Sequence, residues 1–334
     1  MNRERIQKII GITTYIRLAK QVNDFRVWLK ELLTLSKGSI DKTFDKPLVY
    51  ISQPPRCGGT LTRNLFDGHT ALAVYPYELS WEKNGYHFNS SLDHSNKSLK
   101  LLKDKWLSHA INHGFDKSIP FNFSKKNFKK LFHKQRGESQ RAILNNYLTA
   151  FYNSWNNYSS PKNLKYNVAF CPWNEIQPQR VENFFKIYPD GFRLHIVRNP
   201  LAWWASEKSY DWREKNVKNY LKQRWLPSTI AGIELSKKFK EKYLLVNYEN
   251  IVKNPRKTYQ KLCDILEVEF ESAMLIPSIN AVPRKANTSH SNDNYKVTAS
   301  SLEKWKSKLS KEEITYIEHE THELFALAKT LCVN

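Results

Sequence analysis

The segment Pro55–Thr60, which reads PRCGGT, combines the residue types that bind a phosphorylated anion. Its two glycines let backbone N–H groups approach an oxyanion closely, Thr60 adds a hydroxyl, and Arg56 adds a permanent cation. The segment connects an apolar run, Leu48–Ile51, to a helical pattern that begins at Thr60. Because a helix N-terminus carries partial positive charge, this turn predicts an anion site.

Arg198 and Ser206 form a second candidate anion site. Arg198 follows an apolar strand pattern, Phe192–Val197, and Ser206 lies eight residues further on, in a helix that Asn199 and Pro200 begin. Ligands of open α/β sheets collect at the carboxyl ends of strands, and a guanidinium can bind a phosphate through two parallel hydrogen bonds. Two such sites suit a nucleotide with phosphates at both ends of its ribose.

Two other function classes remain as alternatives. The first is a kinase-like phosphotransferase, but its GxxxxGK[ST] loop is disfavoured because no lysine precedes Thr60 and no glycine begins the turn. The second is a basic nucleic-acid-binding module, since 53 Lys and Arg against 32 Asp and Glu give a net charge of +21. That charge is spread over the whole chain, so we expect no nucleic-acid partner.

Taken together, the motifs resemble the sulfotransferases that use 3′-phosphoadenosine 5′-phosphosulfate (PAPS) as donor. That family's 5′-phosphosulfate loop typically reads PRSGTT or PKSGTT, and its 3′-phosphate motif is Arg-Asp-Pro or Arg-Asn-Pro with a serine eight residues past the arginine. The matching segments here are PRCGGT at 55–60 and RNPLAWWAS at 198–206. Segments 246–268 and 301–314 also resemble the family, and the order of motifs agrees over 47–80 and 165–320.

The resemblance implies how the donor would be bound. Arg56 should contact the 5′-phosphate and neutralise the leaving group, while Arg198 and Ser206 should bind the 3′-phosphate. Lys296 or Lys304, in the C-terminal segment, should also reach the donor. The residues implied to cradle the phosphosulfate are Cys57, Gly58, Gly59, Thr60 and Leu61. Two of these depart from the family: Cys57 replaces a serine, and Gly59 replaces a threonine and so removes one hydroxyl ligand.

The resemblance also implies a catalytic base that accepts the acceptor's proton. Branches with arginine in the first loop, such as tyrosylprotein and glycan sulfotransferases, tend to place a glutamate about twenty residues after it. Glu78 stands twenty-two residues past Arg56 and is our choice, with Glu82 and His69 as alternatives. The aromatic residues around it, either a platform for a sugar ring or tyrosine or simply packing, are Tyr75, Tyr77 and Trp81.

The elements that must position these residues alternate between strand and helix. Further strands are predicted at 167–171 and 244–246, and the helices are predicted at 60–68, 181–187, 200–210, 256–266 and from Ser310 onwards. We expect a mostly parallel central sheet flanked by helices, the P-loop NTPase-like sulfotransferase fold. This domain would span residues 47–334 and follow an N-terminal helical segment, 1–46. It would include a helical insertion at about 83–165, with helices at 99–113 and 138–158.

Composition limits the setting in which the chain works. Hydrophobic residues make up 40% and no run of about 18 apolar residues occurs, which indicates a globular chain that does not span a bilayer. The four cysteines show no CxxC spacing, so we expect reduced thiols and no metal. We expect a cytoplasmic protein. Residues 1–36 show an apolar stripe between basic residues, which predicts a helix that packs on the domain or contacts a membrane peripherally. The expected acceptor is a glycan, a lipid-linked sugar or a small metabolite.

Overall fold

The computed structural model describes residues 41–79, 121–134, 139–172, 177–209, 215–284, 297, 299 and 302–333. The strands of the central sheet are β1 (Leu48–Ser52), β2 (Leu72–Glu78), β3 (Tyr166–Phe170), β4 (Phe192–Val197) and β5 (Tyr243–Asn247). Every neighbouring pair is parallel, and the spatial order is β2-β3-β1-β4-β5. The predicted α/β fold with a parallel central sheet is therefore confirmed.

Helices cover the sheet on both faces. They are α1 (Gly59–Phe66), α2 (Lys125–Lys134), α3 (Gln140–Ser154), α4 (Pro178–Ile187), α5 (Pro200–Lys208), α6 (Val217–Tyr220), α7 (Leu226–Phe239), α8 (Tyr248–Lys253), α9 (Pro255–Leu266) and α10 (Lys311–Leu331). A π-helical turn, Leu221–Trp225, joins α6 to α7, and 3₁₀ turns lie at Lys240–Lys242, Ser272–Leu275 and Lys304–Ser307. Strands β6 (Ser278–Ile279) and β7 (Val282–Pro283) form a small antiparallel hairpin.

The core lies on both sides of the sheet, which is why its central strands are almost continuously apolar. Every residue of β1 is buried, as in β3, β4 and β5. Successive side chains point to opposite faces, so Val49 and Ile51 enter one core while Leu48 and Tyr50 enter the other. The second core is rich in aromatic side chains from α2 and α3, which lie within the predicted insertion.

The strand β2 was not predicted from the sequence. Its sequence, LAVYPYE, contains Pro76, which argues against a central strand. β2 lies at the edge of the sheet beside β3, and its register with β3 shifts between Val74 and Glu78. A proline is tolerated there because an edge strand has a side without a partner. The helix α7 was also missed, since no apolar periodicity was recognised in that part of the chain.

The ends of the chain fit the prediction only in part. Residues 41–46, placed by the prediction in the helical segment 1–46, are irregular and pack on α3, where Phe44 N donates to Thr149 Oγ1 at 3.0 Å. The predicted helices at 1–36 and 99–113 lie outside the described residues. At the other end, the capping box predicted at Ser310 is present and begins α10. Of the helices described, none is long and apolar enough to cross a membrane.

Candidate active site

The turn between β1 and α1 has the backbone of an anion-binding loop. Arg56 adopts a left-handed conformation with φ 68°, and Gly58, which precedes α1, has φ 99°. The N–H groups that begin a helix have no partner within it, so those of Gly59, Thr60 and Leu61 are available to a ligand. Cys57 differs, because its N–H donates to Pro54 O at 3.3 Å and its side chain is buried in the core.

Both glycines of this turn are required by their neighbours. A Cβ on Gly58 would lie 2.3 Å from the ring of Tyr248, the first residue of α8. A Cβ on Gly59 would lie 2.1 Å from Gln53 Nε2 and 2.3 Å from the ring of Phe170. The departure from the family's threonine at Gly59 therefore has a steric cause: the side chains of Gln53 and Phe170 occupy that space.

The two predicted anion-binding arginines come together. Arg198 Nη1 donates to the backbone oxygen of Arg56 at 2.5 Å, and Arg56 Nε donates to Ser206 Oγ at 3.2 Å. This is possible because β1 and β4 are neighbouring strands, so the loops that follow them open at the same edge of the sheet. The three residues that the sequence assigned to two separate phosphate groups thus form one contiguous group.

Arg198 is a buried cation, and not all of its N–H groups have an acceptor among the described residues. It is only 7% exposed, and its guanidinium lies 4.5 Å from the centre of the Tyr248 ring. In the described parts of the chain no acceptor contacts its Nε. A buried donor without a partner is costly, and a phosphate oxygen is the kind of acceptor that a guanidinium binds well. This is the observation that fits Arg198 to an anionic ligand.

Two tryptophan side chains hold the loops in place. Trp203 Nε1, on α5, donates to Pro55 O at 3.0 Å, and Trp225 Nε1 donates to Arg198 O at 3.0 Å. Both indoles are buried in the core, so their role here is packing together with backbone fixation. Because each indole bonds to a backbone carbonyl next to or within a predicted anion site, the loops are positioned independently of any ligand.

Glu249 is a partly buried neighbour of Arg198 that was not singled out from the sequence. Its carboxylate accepts hydrogen bonds from Asn199 N at 3.1 Å and from Asn247 Nδ2 at 2.9 Å. Burial raises the pKa of Glu249, while the Asn199 N–H and the charge of Arg198 oppose that rise. The sequence does contain a signal, the pair Tyr248 and Glu249 directly after β5. Because β5 lies next to β4, the residues that follow β5 come close to Arg198, which follows β4.

Glu78, the predicted base, is the last residue of β2 and is half-buried. In the sheet it pairs with Phe170, which pairs in turn with Ile51 of β1, and Leu79 N donates to Phe170 O at 2.8 Å. Glu78 therefore stands at the same edge as the Arg56 loop, two strand spacings or about 10 Å across the sheet. No direct contact joins Glu78 to Arg56 in the described structure.

The alternatives to Glu78 are placed less favourably. His69 precedes β2 and so lies at the opposite end of that strand, where its Nε2 donates to Glu269 O at 2.7 Å and its Nδ1 accepts from Ala71 N at 2.9 Å. The prediction of His69 as an alternative base is therefore wrong in geometry. Glu82 lies outside the described residues.

The aromatic residues near Glu78 differ in position. Tyr75 is fully buried in the second core, where its hydroxyl is hydrogen-bonded to that of Tyr147 at 2.8 Å, so it is a packing residue and not a platform. Burial raises the pKa of Tyr75. Tyr77 is partly buried at the edge of that core, and Trp81 lies outside the described residues.

The C-terminal lysines are placed in part. Lys304 begins a 3₁₀ turn that packs against α5, the helix that carries Ser206, and Lys308 Nζ from the same segment donates to Ser209 Oγ at 3.1 Å. Lys296 lies outside the described residues. Across the described ranges, no cluster of three or more His, Cys, Asp or Glu could hold a metal ion.

Comparison with known proteins gives a consistent result. A family model described as a sulfotransferase family matches residues 47–272. The solved sulfotransferase domain of the olefin synthase from Synechococcus PCC 7002 is similar with 18% identity and a TM-score of 0.51, over 88% of this chain and 97% of that one. The sulfotransferase domain from the curacin biosynthetic pathway has 18% identity and a TM-score of 0.46, over 83% and 98%. A search of curated proteins found no match.

Proposed function

Because the chain belongs to the sulfotransferase family, we propose that it transfers the sulfuryl group of PAPS to a hydroxyl or amine of an acceptor. The observation that carries the proposal is the 2.5 Å hydrogen bond from Arg198 Nη1 to Arg56 O, which joins the two loops. A donor with phosphates at both ends of one ribose needs two anion sites close together. The family match also favours sulfuryl over phosphoryl transfer.

The donor would be held by groups of both loops. The N–H groups of Gly59, Thr60 and Leu61 would bind the phosphosulfate, and the Arg56 guanidinium would add its charge there. Arg198 would bind the 3′-phosphate, and this role is supported by its Nε, for which the described part of the chain offers no acceptor. Ser206 would add its hydroxyl, and Lys304 would reach the donor from the turn beside α5.

The reaction would be an in-line displacement. The bond between sulfur and the bridging oxygen of the 5′-phosphate breaks while the acceptor oxygen forms a new bond to sulfur. Arg56 would stabilise the charge that develops on the leaving phosphate, and Glu78 would take the proton from the acceptor. Both roles need groups at one edge of the sheet, and the two residues follow β1 and end β2 at that edge.

For the acceptor we propose a carbohydrate, a lipid-linked sugar or a small metabolite. The excess of 53 Lys and Arg over 32 Asp and Glu supports an anionic partner in general terms, since such a charge raises the local concentration of anions. A cytoplasmic location, with peripheral membrane contact through residues 1–36, belongs to the same proposal. That segment lies outside the described residues.

The decisive experiment compares the melting of the protein with 3′,5′-ADP, with 5′-AMP and with ATP plus Mg²⁺. At about 100 times its Kd a ligand adds about 2.7 kcal/mol of stability, so a specific nucleotide is easily recognised. We expect a shift with 3′,5′-ADP alone, followed by transfer of ³⁵S from labelled PAPS to an acceptor. An equal shift with Mg-ATP or with 5′-AMP would contradict the proposal.

A further inference from the structure

Gln53, the residue directly after β1, is a buried amide that the described fold leaves incompletely bonded. Its exposed fraction is 1%, and among the described residues no donor contacts its Oε1. Val49 and Ile51 face the core that α1 covers, and the alternation of an extended chain carries Gln53 to the same side. Folded proteins satisfy most buried polar groups, because an unpaired one is costly. This amide therefore indicates a ligand that the described chain does not supply.

The Gln53 amide lies against the first residue of α1. A Cβ on Gly59 would stand 2.1 Å from Gln53 Nε2 and 2.7 Å from Gln53 Cδ. The amide nitrogen thus occupies the space in which a side chain of residue 59 would begin. The free N–H groups of Gly59 and of the residues after it form the anion site at the start of α1. The Gln53 amide is therefore placed beside that site.

The same amide lies on the side of β1 where the predicted base stands. The Cβ position of Gly59 is also 2.3 Å from Phe170 Cε2, so the Phe170 ring and the Gln53 amide are neighbours. Phe170 ends β3, which separates β1 from β2, and it pairs in register with Glu78. An in-line displacement places the sulfur between the leaving phosphate and the acceptor. That path runs from the Arg56 loop towards Glu78, the direction in which the Gln53 amide lies.

We propose that Gln53 Nε2 donates a hydrogen bond to an oxygen of the sulfuryl group and so orients that group for transfer. This inference rests on the proposed function, because that function supplies PAPS. Sulfuryl oxygens can only accept, so the amide nitrogen is the end that suits them. The Oε1 end requires an O–H or N–H donor, which the acceptor carries and the sulfuryl group does not. A fixed contact of this kind contributes to the rate through orientation.

The test compares PAPS with 3′,5′-ADP, which is the same nucleotide without the sulfuryl group. Their Kd values are measured by calorimetry on the full-length protein with no acceptor added. Gln53→Met removes both polar atoms and keeps the length of the side chain. We expect the Kd of PAPS to rise about tenfold or more, since a hydrogen bond to a charged group is lost, while that of 3′,5′-ADP changes less than threefold. Gln260→Met, at an exposed glutamine of α9, is the matched control and should change neither.

Two results would overturn the inference: an unchanged Kd of PAPS in Gln53→Met, or equal weakening of PAPS and 3′,5′-ADP. If the wild type binds 3′,5′-ADP in either case, the role of Gln53 fails while the proposed function stands. If the wild type does not bind 3′,5′-ADP, the proposed function fails, and the sulfuryl contact fails with it.

Urea unfolding separates the contact from a structural role. Gln53→Met removes a buried oxygen that has no partner among the described residues, so the free energy of unfolding of the ligand-free protein should be unchanged or higher. A glutamine that holds the loop would give a lower free energy of unfolding together with weaker binding of both nucleotides, which contradicts the inference. Gln53→Leu, a second apolar variant, is measured in parallel and should behave as Gln53→Met does, so that a packing fault of one side chain is recognised.

Discussion

Arg198 donates a hydrogen bond from Nη1 to the backbone oxygen of Arg56, and 142 positions of sequence separate the two residues. The bond fixes the backbone of the first loop with the side chain of the second. The same Arg56 then reaches Ser206 through its own Nε at 3.2 Å. The two loops are therefore coupled before any ligand binds, and a change in one is expected to alter binding at the other.

Arg198→Lys tests this coupling. A lysine keeps the charge but lacks the planar fork, so it cannot contact Arg56 O and a phosphate with the same geometry. We expect the Kd of 3′,5′-ADP to rise at least tenfold while that of 5′-AMP changes less than threefold, as measured by calorimetry. Arg256→Lys, on the exposed face of α9, is the control. Equal weakening for both nucleotides would show that Arg198 does not recognise the 3′-phosphate.

Glu78→Gln tests the base. The amide keeps the shape of the side chain but cannot accept the proton, so turnover of labelled PAPS should fall by about 10²–10⁴. The Kd of 3′,5′-ADP should stay the same, because Glu78 stands two strand spacings away from the Arg56 loop. Glu234→Gln, on an exposed position of α7, is the control. Near-normal turnover in the Glu78 variant would assign the proton to another group.

Gly58→Ala should destabilise the protein more than Gly68→Ala. Both glycines have positive φ, 99° and 84°, so both variants carry a backbone cost of about 1–2 kcal/mol. Only at Gly58 would the new Cβ overlap the Tyr248 ring, at 2.3 Å, whereas at Gly68 the nearest atom is 3.5 Å away. Overpacking adds about 1–3 kcal/mol, to be measured by urea unfolding.

Gly58→Ala combined with Tyr248→Ala provides the corresponding check. The loss of unfolding free energy caused by Gly58→Ala should be smaller when Tyr248→Ala is already present than it is in the wild type, because the ring that overlaps the new Cβ has been removed. Equal losses for Gly58→Ala and Gly68→Ala would contradict the steric account of this turn.

His195 should make stability depend on pH. It is buried between Tyr243 OH at 2.8 Å and Ser228 Oγ at 3.3 Å, and burial lowers its pKa from 6.5 to about 3. Between those pH values the unfolded chain binds the proton and the native protein does not. The stabilising contribution is thus complete above about pH 6.5 and is lost as the pH falls towards 3, by up to about 1.4 kcal/mol per unit.

His195→Gln should lack this slope in urea unfolding at pH 4.5, 5.5 and 6.5. His319→Gln, at an exposed histidine on α10, should keep it. The wild type, His195→Gln and His319→Gln share the same general effect of net charge on stability as the pH changes, so that effect cancels when their slopes are compared. A slope that persists in His195→Gln would place the responsible group elsewhere.

The sequence predicted the parts of this fold that are encoded locally. Strands buried on both faces, such as β1 and β4, are continuous apolar runs, and the helix starts at Asn199 and Ser310 are capped as their residue types indicate. The edge strand β2 was missed because Pro76 breaks its pattern. Glu78 could still be chosen from the family resemblance, but its place at the end of β2 became evident only from the strand order of the sheet.

Other features could not be predicted because they depend on distant parts of the chain. The bond from Ala281 N to Asp67 spans 214 positions, and no local pattern marks either residue as its partner. The same holds for the Tyr248 ring, which both contacts the Arg198 guanidinium and makes glycine necessary at position 58. These contacts arise only once the strands have been ordered in the sheet.

The strand order β2-β3-β1-β4 sets a distance for inhibitor design. Arg198 follows β4 and Glu78 ends β2, so three strand spacings, or about 14 Å, separate the residue proposed to bind the nucleotide from the residue proposed to face the acceptor. A bisubstrate compound that joins an adenosine bisphosphate to an acceptor mimic needs a linker that crosses β1 and β3 over that length. A shorter tether would engage one end only.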